Sequence, residues 1–530
     1  MWNKAILFFM LSISIMSASA EDFSSVRSMA RSGVKIPLSG EIEAYVSSSC
    51  LSTNTADCPN IAGNMVATGE SLRTVYIQNE NGTLGFRVIL ADYYGNSLLR
   101  GDRVRIRLDG ACIVREDAPE RYTIHDLPVS SCEILSRGNA LPCRLKHIAD
   151  LTPDDIYTYI VLEGLEFAKK TGGYINVNEK AVQITALNEM LSREGELGWP
   201  SACECVDAWP SLMFDDRGSS VYMLVNSTCE WRRNGAGVPK GLFRLGGVIV
   251  HSELPHYGNS LGDYSIRPMG LEDFFIVDEY RSSWGKLCAW EYDYNQYAVL
   301  DFRGAGKRQF VKPAEVYDDK INAESGDAVL WAGPGVSLCL DDEYDARHSF
   351  DGLRSARMTG SRSNAALRLD AKCAGWYADG AGLYVKASLK NLSSSAVRFN
   401  FSFIAGRDHS KNSVDYPVDW KLSYSTDGKT WKDMDGTFDL RPVVFTNVQH
   451  GKRRAVLHNG LAAGFTQHSV LLPDELRAAD SFILRIRPCS ARTATMPETF
   501  DGPCREGRAV DCKDADTIIR FGDISITYLL

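Results

Sequence analysis

After its first sixteen residues the sequence has no long apolar run. A transmembrane helix needs about 20 consecutive apolar residues. Each later run is broken by a charge or a glycine within a few positions, so no membrane span is expected. Basic tracts are also scarce. Lys307-Arg308 and Lys452-Arg453-Arg454 are the local concentrations of cation in a chain of net charge −9. Nucleic-acid affinity depends on clustered Lys and Arg that neutralise phosphates, so nucleic acid is excluded as a partner. The nine histidines supply no H-E-x-x-H. His251 and His256, five apart, miss the spacing that would align them on a helix. Helical periodicity is sparse, the best case being 186–196 with Leu187, Met190 and Leu191 on one stripe.

What is present begins with residues 1–20, which read as a cleavable signal peptide. Lys4 precedes an apolar run over 5–16, and Ala18-Ser19-Ala20 supplies small residues before Glu21. Position 21 lacks the cysteine that lipoprotein acylation requires. A secreted or periplasmic destination without a lipid anchor is therefore expected, after cleavage near Ala20. Lys4 is the leader's one charge, so the mature chain carries −10. All fourteen cysteines follow the leader, and an even number in an exported chain implies disulfides. Cys50 and Cys58 flank a polar loop, Cys112 and Cys132 bracket a predicted hairpin, and Cys489, Cys504 and Cys512 crowd one late segment. Cys203-Glu204-Cys205 comes nearest to a metal motif but has no second pair at zinc spacing. No metal and no cofactor are expected.

Period-two alternation of β-branched and aromatic residues, punctuated by Gly, Asn, Asp and Pro, dominates the chain. The fold class is accordingly all-β, with two OB-like β-barrel modules (21–147 and 148–278) and a jelly-roll-like sandwich (279–530). Strand candidates at 36–46, 73–78, 86–90, 102–108, 122–125 and 132–135 suit a small closed barrel. A second series begins at 159–164 and continues at 241–250. The helical stripe at 186–196 lies between them, matching the helix often found between the third and fourth strands of five-stranded oligonucleotide/oligosaccharide-binding barrels. After residue 280 the strands lengthen: 396–403, 420–424, 481–487 and 518–528, with Asp427-Gly428 as a hairpin turn.

The runs Gly40 to Val46, Val75 to Gly82 and Leu99 to Gly110, with Tyr264 to Pro268 through Asp273, resemble an uncharacterised family of secreted Bacteroidota proteins with such barrels at the N-terminal side. The resemblance covers 34–273 and implies fold and compartment, with no activity attached. Leu422 to Trp431 is similar to the S-x-D-G-x-x-W hairpin of bacterial jelly-roll modules on secreted hydrolases and adhesins. Fold of that kind does not fix function.

Catalytic patterns fail on context. Gly258-Asn259-Ser260-Leu261-Gly262 fits G-x-S-x-G but lacks the strand-to-helix setting of a nucleophile elbow. Asp301 to Arg308 lacks the spacing and the hydroxyl residue of a phosphate loop. Carboxylates at Asp341, Asp342, Glu343 and Asp345 are the material for a glycosidase pair. Those residues, or Asp433, Asp435 and Asp439, also supply oxygen ligands for calcium, without completing an EF-hand spacing.

Aromatic side chains remain. Trp420 and Tyr424 share strand parity, and core burial is expected for Trp420. Trp376, Tyr377, Tyr424 and Trp431 are the candidate ligand-binding residues, with Trp376 and Trp431 expected to be exposed near turns. The reading that follows is an exported non-catalytic binding or adhesion protein whose partner is a glycan or another envelope protein. A carboxylate-pair hydrolase and a purely structural envelope protein are its rivals.

Overall fold

The computed structural model describes residues 22–52, 54–56, 71–92, 94–168, 170, 211–225, 229, 231, 238–252, 261–290, 299–301, 321–323, 325–341, 357–359, 366–389, 392–406, 416–439, 443–449, 452–458, 466–491, 493 and 516–530. The expected leader and the helical stripe at 186–196 lie outside them. The fold is all-β, and no helix among the described residues is long and apolar enough to cross a membrane.

Strand Glu41–Val46 places Ile42, Ala44 and Val46 inward by simple alternation. It pairs with Thr74–Gln78 on one side and with Arg103–Arg107 on the other. Thr74–Gln78 pairs with Gly85–Leu90, which runs parallel to Arg121–Leu127. Arg121–Leu127 pairs with Cys112–Glu116, and Cys112–Glu116 returns to Ile36–Pro37. Ile36–Pro37 and Glu41–Val46 belong to one run of chain, so the sheet closes on itself.

The second unit repeats this connectivity. Tyr159–Phe167 pairs with Ser211–Phe214, and that strand pairs with Ser220–Met223. Ser220–Met223 runs parallel to Ser265–Arg267, which returns through Leu242–Val250 to Tyr159–Phe167. The two barrels meet through stacked Tyr76 and Tyr157, with ring centroids 5.6 Å apart. Asp273, fully buried, accepts hydrogen bonds from Arg100 Nη1, Tyr159 Oη and the Met269 amide, each at 2.6 Å.

The third unit is a two-sheet sandwich. One sheet is centred on Asp516–Leu529, which pairs with Trp284–Trp290, Ala366–Lys372 and Val397–Gly406; Thr466–Leu471 extends it beyond Val397–Gly406. The other runs in the order Ile321–Asn322, Ala328–Ala332, Leu383–Ala387, Phe482–Pro488, Asp419–Ser425, Lys432–Asp433. Phe399, Phe401, Phe403 and Ile524 from the first sheet meet Leu330, Val385, Leu484 and Trp420 from the second in one core.

The first sheet's outward face is also covered, by the second barrel. Arg398 lies 5.5 Å from the Phe214 ring and donates to the Gly218 carbonyl at 3.2 and 2.9 Å. The Leu212 amide donates to Gln467 Oε1 at 3.3 Å, and Tyr222 Oη donates to the Gln467 carbonyl at 3.0 Å.

The expected staples are corrected in part. Cys50, Cys112 and Cys132 carry free thiols, so neither Cys50 with Cys58 nor Cys112 with Cys132 is joined. The reason for the second pair is topological. Cys112 pairs with His125 and Cys132 with Ile106, on strands that are not paired with each other, so they do not face each other across a hairpin. Cys58, Cys504 and Cys512 lie outside the described residues, and Cys489 is half-buried beside Asp419. Cys373, not singled out by spacing, is disulfide-bonded.

Two outcomes follow from the packing. A Cβ at Gly85 would fall inside van der Waals contact with the Tyr157 carbonyl. Gly85→Ala should cost about 1–3 kcal/mol, read as a lowered urea midpoint of the full chain. His468 is buried against Phe401, Phe403 and Phe438, and burial pulls its pKa from 6.5 down to about 3. The unfolded chain binds the proton first, so the stability from the neutral ring is complete above the unfolded value and is lost as pH falls from about 6.5 towards about 3. His468→Phe should flatten the decline in stability between about pH 7 and 5, measured by denaturation at each pH.

Candidate functional site

The second sheet of the sandwich has one face in the core and one turned away from it, and alternation assigns each residue to a side. In Leu383–Ala387 the core takes Leu383, Val385 and Ala387, leaving Tyr384 and Lys386 on the other face. In Phe482–Pro488 it takes Phe482, Leu484 and Ile486, leaving Ile483, Arg485 and Arg487. Register then joins the strands: Trp331 opposes Tyr384, Tyr384 opposes Arg485, Arg485 opposes Ser423, and Ser423 opposes Asp433. Five strands thus build one transverse row, Trp331-Tyr384-Arg485-Ser423-Asp433.

The aromatic half of this row is held firmly. Trp331 and Tyr384 stack with centroids 5.2 Å apart and planes 10° from parallel. Tyr384 Oη donates to the Gly380 carbonyl at 2.7 Å. Gly333 leaves room for its ring, since a Cβ there would lie 2.8 Å from Tyr384 Cε2. Trp431 comes from beyond the Asp427-Gly428 turn and meets Tyr384 edge-on at 5.7 Å. Its ring centroid lies 4.4 Å from the Arg485 guanidinium carbon, which is 6.0 Å from the Tyr384 ring. Trp331 and Trp431 are partly exposed, whereas Tyr384 and Arg485 retain 8% exposure each.

The turn that delivers Trp431 is set by Asp427, whose carboxylate accepts from the amides of Lys429 and Thr430 at 2.8 and 2.7 Å. Those hydrogen bonds hold its pKa far below the usual carboxylate range. Gly428, at φ +71°, takes the left-handed position. The polar half of the row is internally paired. Asp433 accepts from Ser423 Oγ at 2.6 Å, from Arg487 Nη2 at 3.1 Å and from Lys421 Nζ at 3.4 Å. A carboxylate neutralised by two cations is poorly placed to hold calcium.

The sequence candidates divide sharply. Trp431 flanks this row, against Tyr384 and Arg485. Trp376, expected to be exposed, is 1% exposed and packs edge-on against Trp420 at 5.1 Å. The cause is local: Cys373–Tyr377 is a 3-10 turn, and Gly375 lets it approach Gly335, whose carbonyl would lie 2.7 Å from a Cβ at that position. Tyr377 is buried in the same turn. Tyr424 is buried on the core parity of its strand, and its hydroxyl donates to the Glu475 carboxylate. Trp420 is fully buried, as its parity predicted.

Of the catalytic candidates, residues 258–260, 302–308 and 342–345 lie outside the described residues, as does His256; His251 Nδ1 lies 3.1 Å from the Asp263 carbonyl. Trp331, Tyr384 and Arg485 were missed. The signal for them was outward parity in three alternating segments, which becomes visible only once the strands are registered.

No family model matches the chain, and no curated protein matches it. Among solved structures it is similar to the K2 cleaved adhesin domain of Lys-gingipain, with a TM-score of 0.17 and 10% identity, covering 40% of this chain and 93% of that one. It is also similar to the CBM22-1 and GH10 modules of the Clostridium thermocellum endo-1,4-beta-D-xylanase 10B, complexed with xylohexaose. There the TM-score is 0.15 and the identity 12%, covering 40% of this chain and 28% of that one. At those TM-scores neither likeness carries an argument, so the chemistry of the aromatic row has to be judged from its own geometry.

Proposed function

We propose that the chain is an exported, non-catalytic binding protein whose C-terminal sandwich holds a glycan across the row Trp331-Tyr384-Arg485, with Trp431 as a flanking wall. The observation that carries this reading is the grouping of Trp331, Tyr384 and Trp431 on the side of the sheet turned away from the core. Sugar rings present C–H faces that pack on aromatic rings, and a ring locked by its neighbours loses little entropy when it does so. Export rests on the leader pattern at 1–20. The two N-terminal units are read as OB-like modules, because both run their strands in the same closed order. They serve in this reading as the support from which the sandwich is presented.

The test is a glycan array probed with the full chain. Trp331→Ala and Trp431→Ala should each weaken binding by about tenfold, the scale of one lost stacking contact, while leaving the unfolding midpoint nearly unchanged. Trp376→Ala should do the reverse, destabilising the sandwich by about 3–5 kcal/mol as a core truncation. Uniform silence on the array would sink the glycan reading.

A further inference from the structure

The arginine in the aromatic row lacks what a buried cation ordinarily has. Arg485 is 8% exposed, its Nε is buried without a hydrogen-bond partner, and among the described residues no carboxylate pairs with it. Its contacts are the faces of Trp431 and Tyr384. Cation–π attraction offsets part of the lost hydration, but guanidinium cannot shed its proton to relieve the rest. The neighbouring arginine on the same strand shows the contrast, since Arg487 donates to Asp433 at 3.1 Å. Lys386, two positions from Tyr384 on the same side of the sheet, is exposed and likewise has no ion-pair partner among the described residues. In a chain of net charge −9, this face therefore holds a cation with open valences set between aromatic walls.

Building on the glycan reading above, we infer that the ligand is an acidic glycan, with a uronic acid carboxylate accepting hydrogen bonds from Arg485 while its ring stacks against the adjacent aromatics. A planar carboxylate matches the fork of a guanidinium, and such charge-assisted pairs are about twice as strong as neutral ones. Gly382 keeps the strand beside this group open, since a Cβ there would lie 3.3 Å from Arg485 Cγ and 3.4 Å from Arg487 Cβ.

The experiment is affinity electrophoresis and calorimetry of the full chain with polygalacturonate, alginate and hyaluronan, each beside its methyl-esterified form. Esterification keeps the sugar ring and removes the charge. The acidic forms should bind about tenfold or more tightly than their esters, the scale of a hydrogen bond to a charged group. The preference should shrink in high salt. Arg485→Gln should abolish the preference, and Arg485→Lys should retain part of it. The comparison of acid with ester needs no variant, so misfolding of an Arg485 substitution leaves the test intact. Equal binding of acid and ester, or a preference that survives in Arg485→Gln, overturns the inference. If neutral glycans bind and Trp331→Ala abolishes that binding while acids gain nothing, the acidic assignment falls and the glycan reading stands. Silence towards acidic and neutral glycans alike overturns both.

Discussion

A β-strand commits each residue to one of two sides, and in the sandwich every commitment is consequential because three of the four sheet faces have fixed roles. Two form the common core, where Trp420 and Phe403 meet edge to face at 6.0 Å. A third lies on the second barrel through Arg398 and Gln467. The remaining face carries Trp331, Tyr384 and Arg485 in a single row. A shift of one residue in the strand holding Arg485 would bury that guanidinium in the core and turn Leu484 outward.

Strand type and several positions were legible from residue order. Alternation located the segments that fold as Asp419–Ser425 and Phe482–Pro488, Asp427-Gly428 marked the turn before Lys432–Asp433, and parity buried Trp420. The row was not legible, because its members come from residues 331, 384, 423, 433 and 485 and meet only through register. Trp376 misled for a related reason. Its glycine-rich surroundings signalled a turn, and the turn folds inward because Gly375 tolerates the close approach of Gly335. Cys112 and Cys132 misled because nearness in sequence was taken for a shared hairpin, whereas their strands pair with other strands and not with each other.

The buried charged groups sort by how they are satisfied. Asp273 is surrounded by donors from both barrels, and Arg398 gives two hydrogen bonds to one carbonyl, with burial lowering its pKa to about 10. Both belong to junctions between units, where a satisfied polar group fixes orientation as well as adding stability. Arg485 stands apart from this pattern, with ring faces in place of acceptors. That difference in partner separates a group that holds the protein together from one available to something else.

The strand Asp516–Leu529 lies at the centre of its sheet, yet it is the last of the sandwich in chain order, and it pairs with the unit's earliest strand, Trp284–Trp290. During synthesis, the sandwich core must wait for more than two hundred residues to emerge before its middle strand can be inserted. Until then Val397–Gly406 and Ala366–Lys372 each present an unpaired edge. This unit therefore folds late and as a whole, whereas each barrel closes on strands that have already emerged. The passage from ribosome to folded sandwich is accordingly the stage at which the chain is most exposed to aggregation and to proteases.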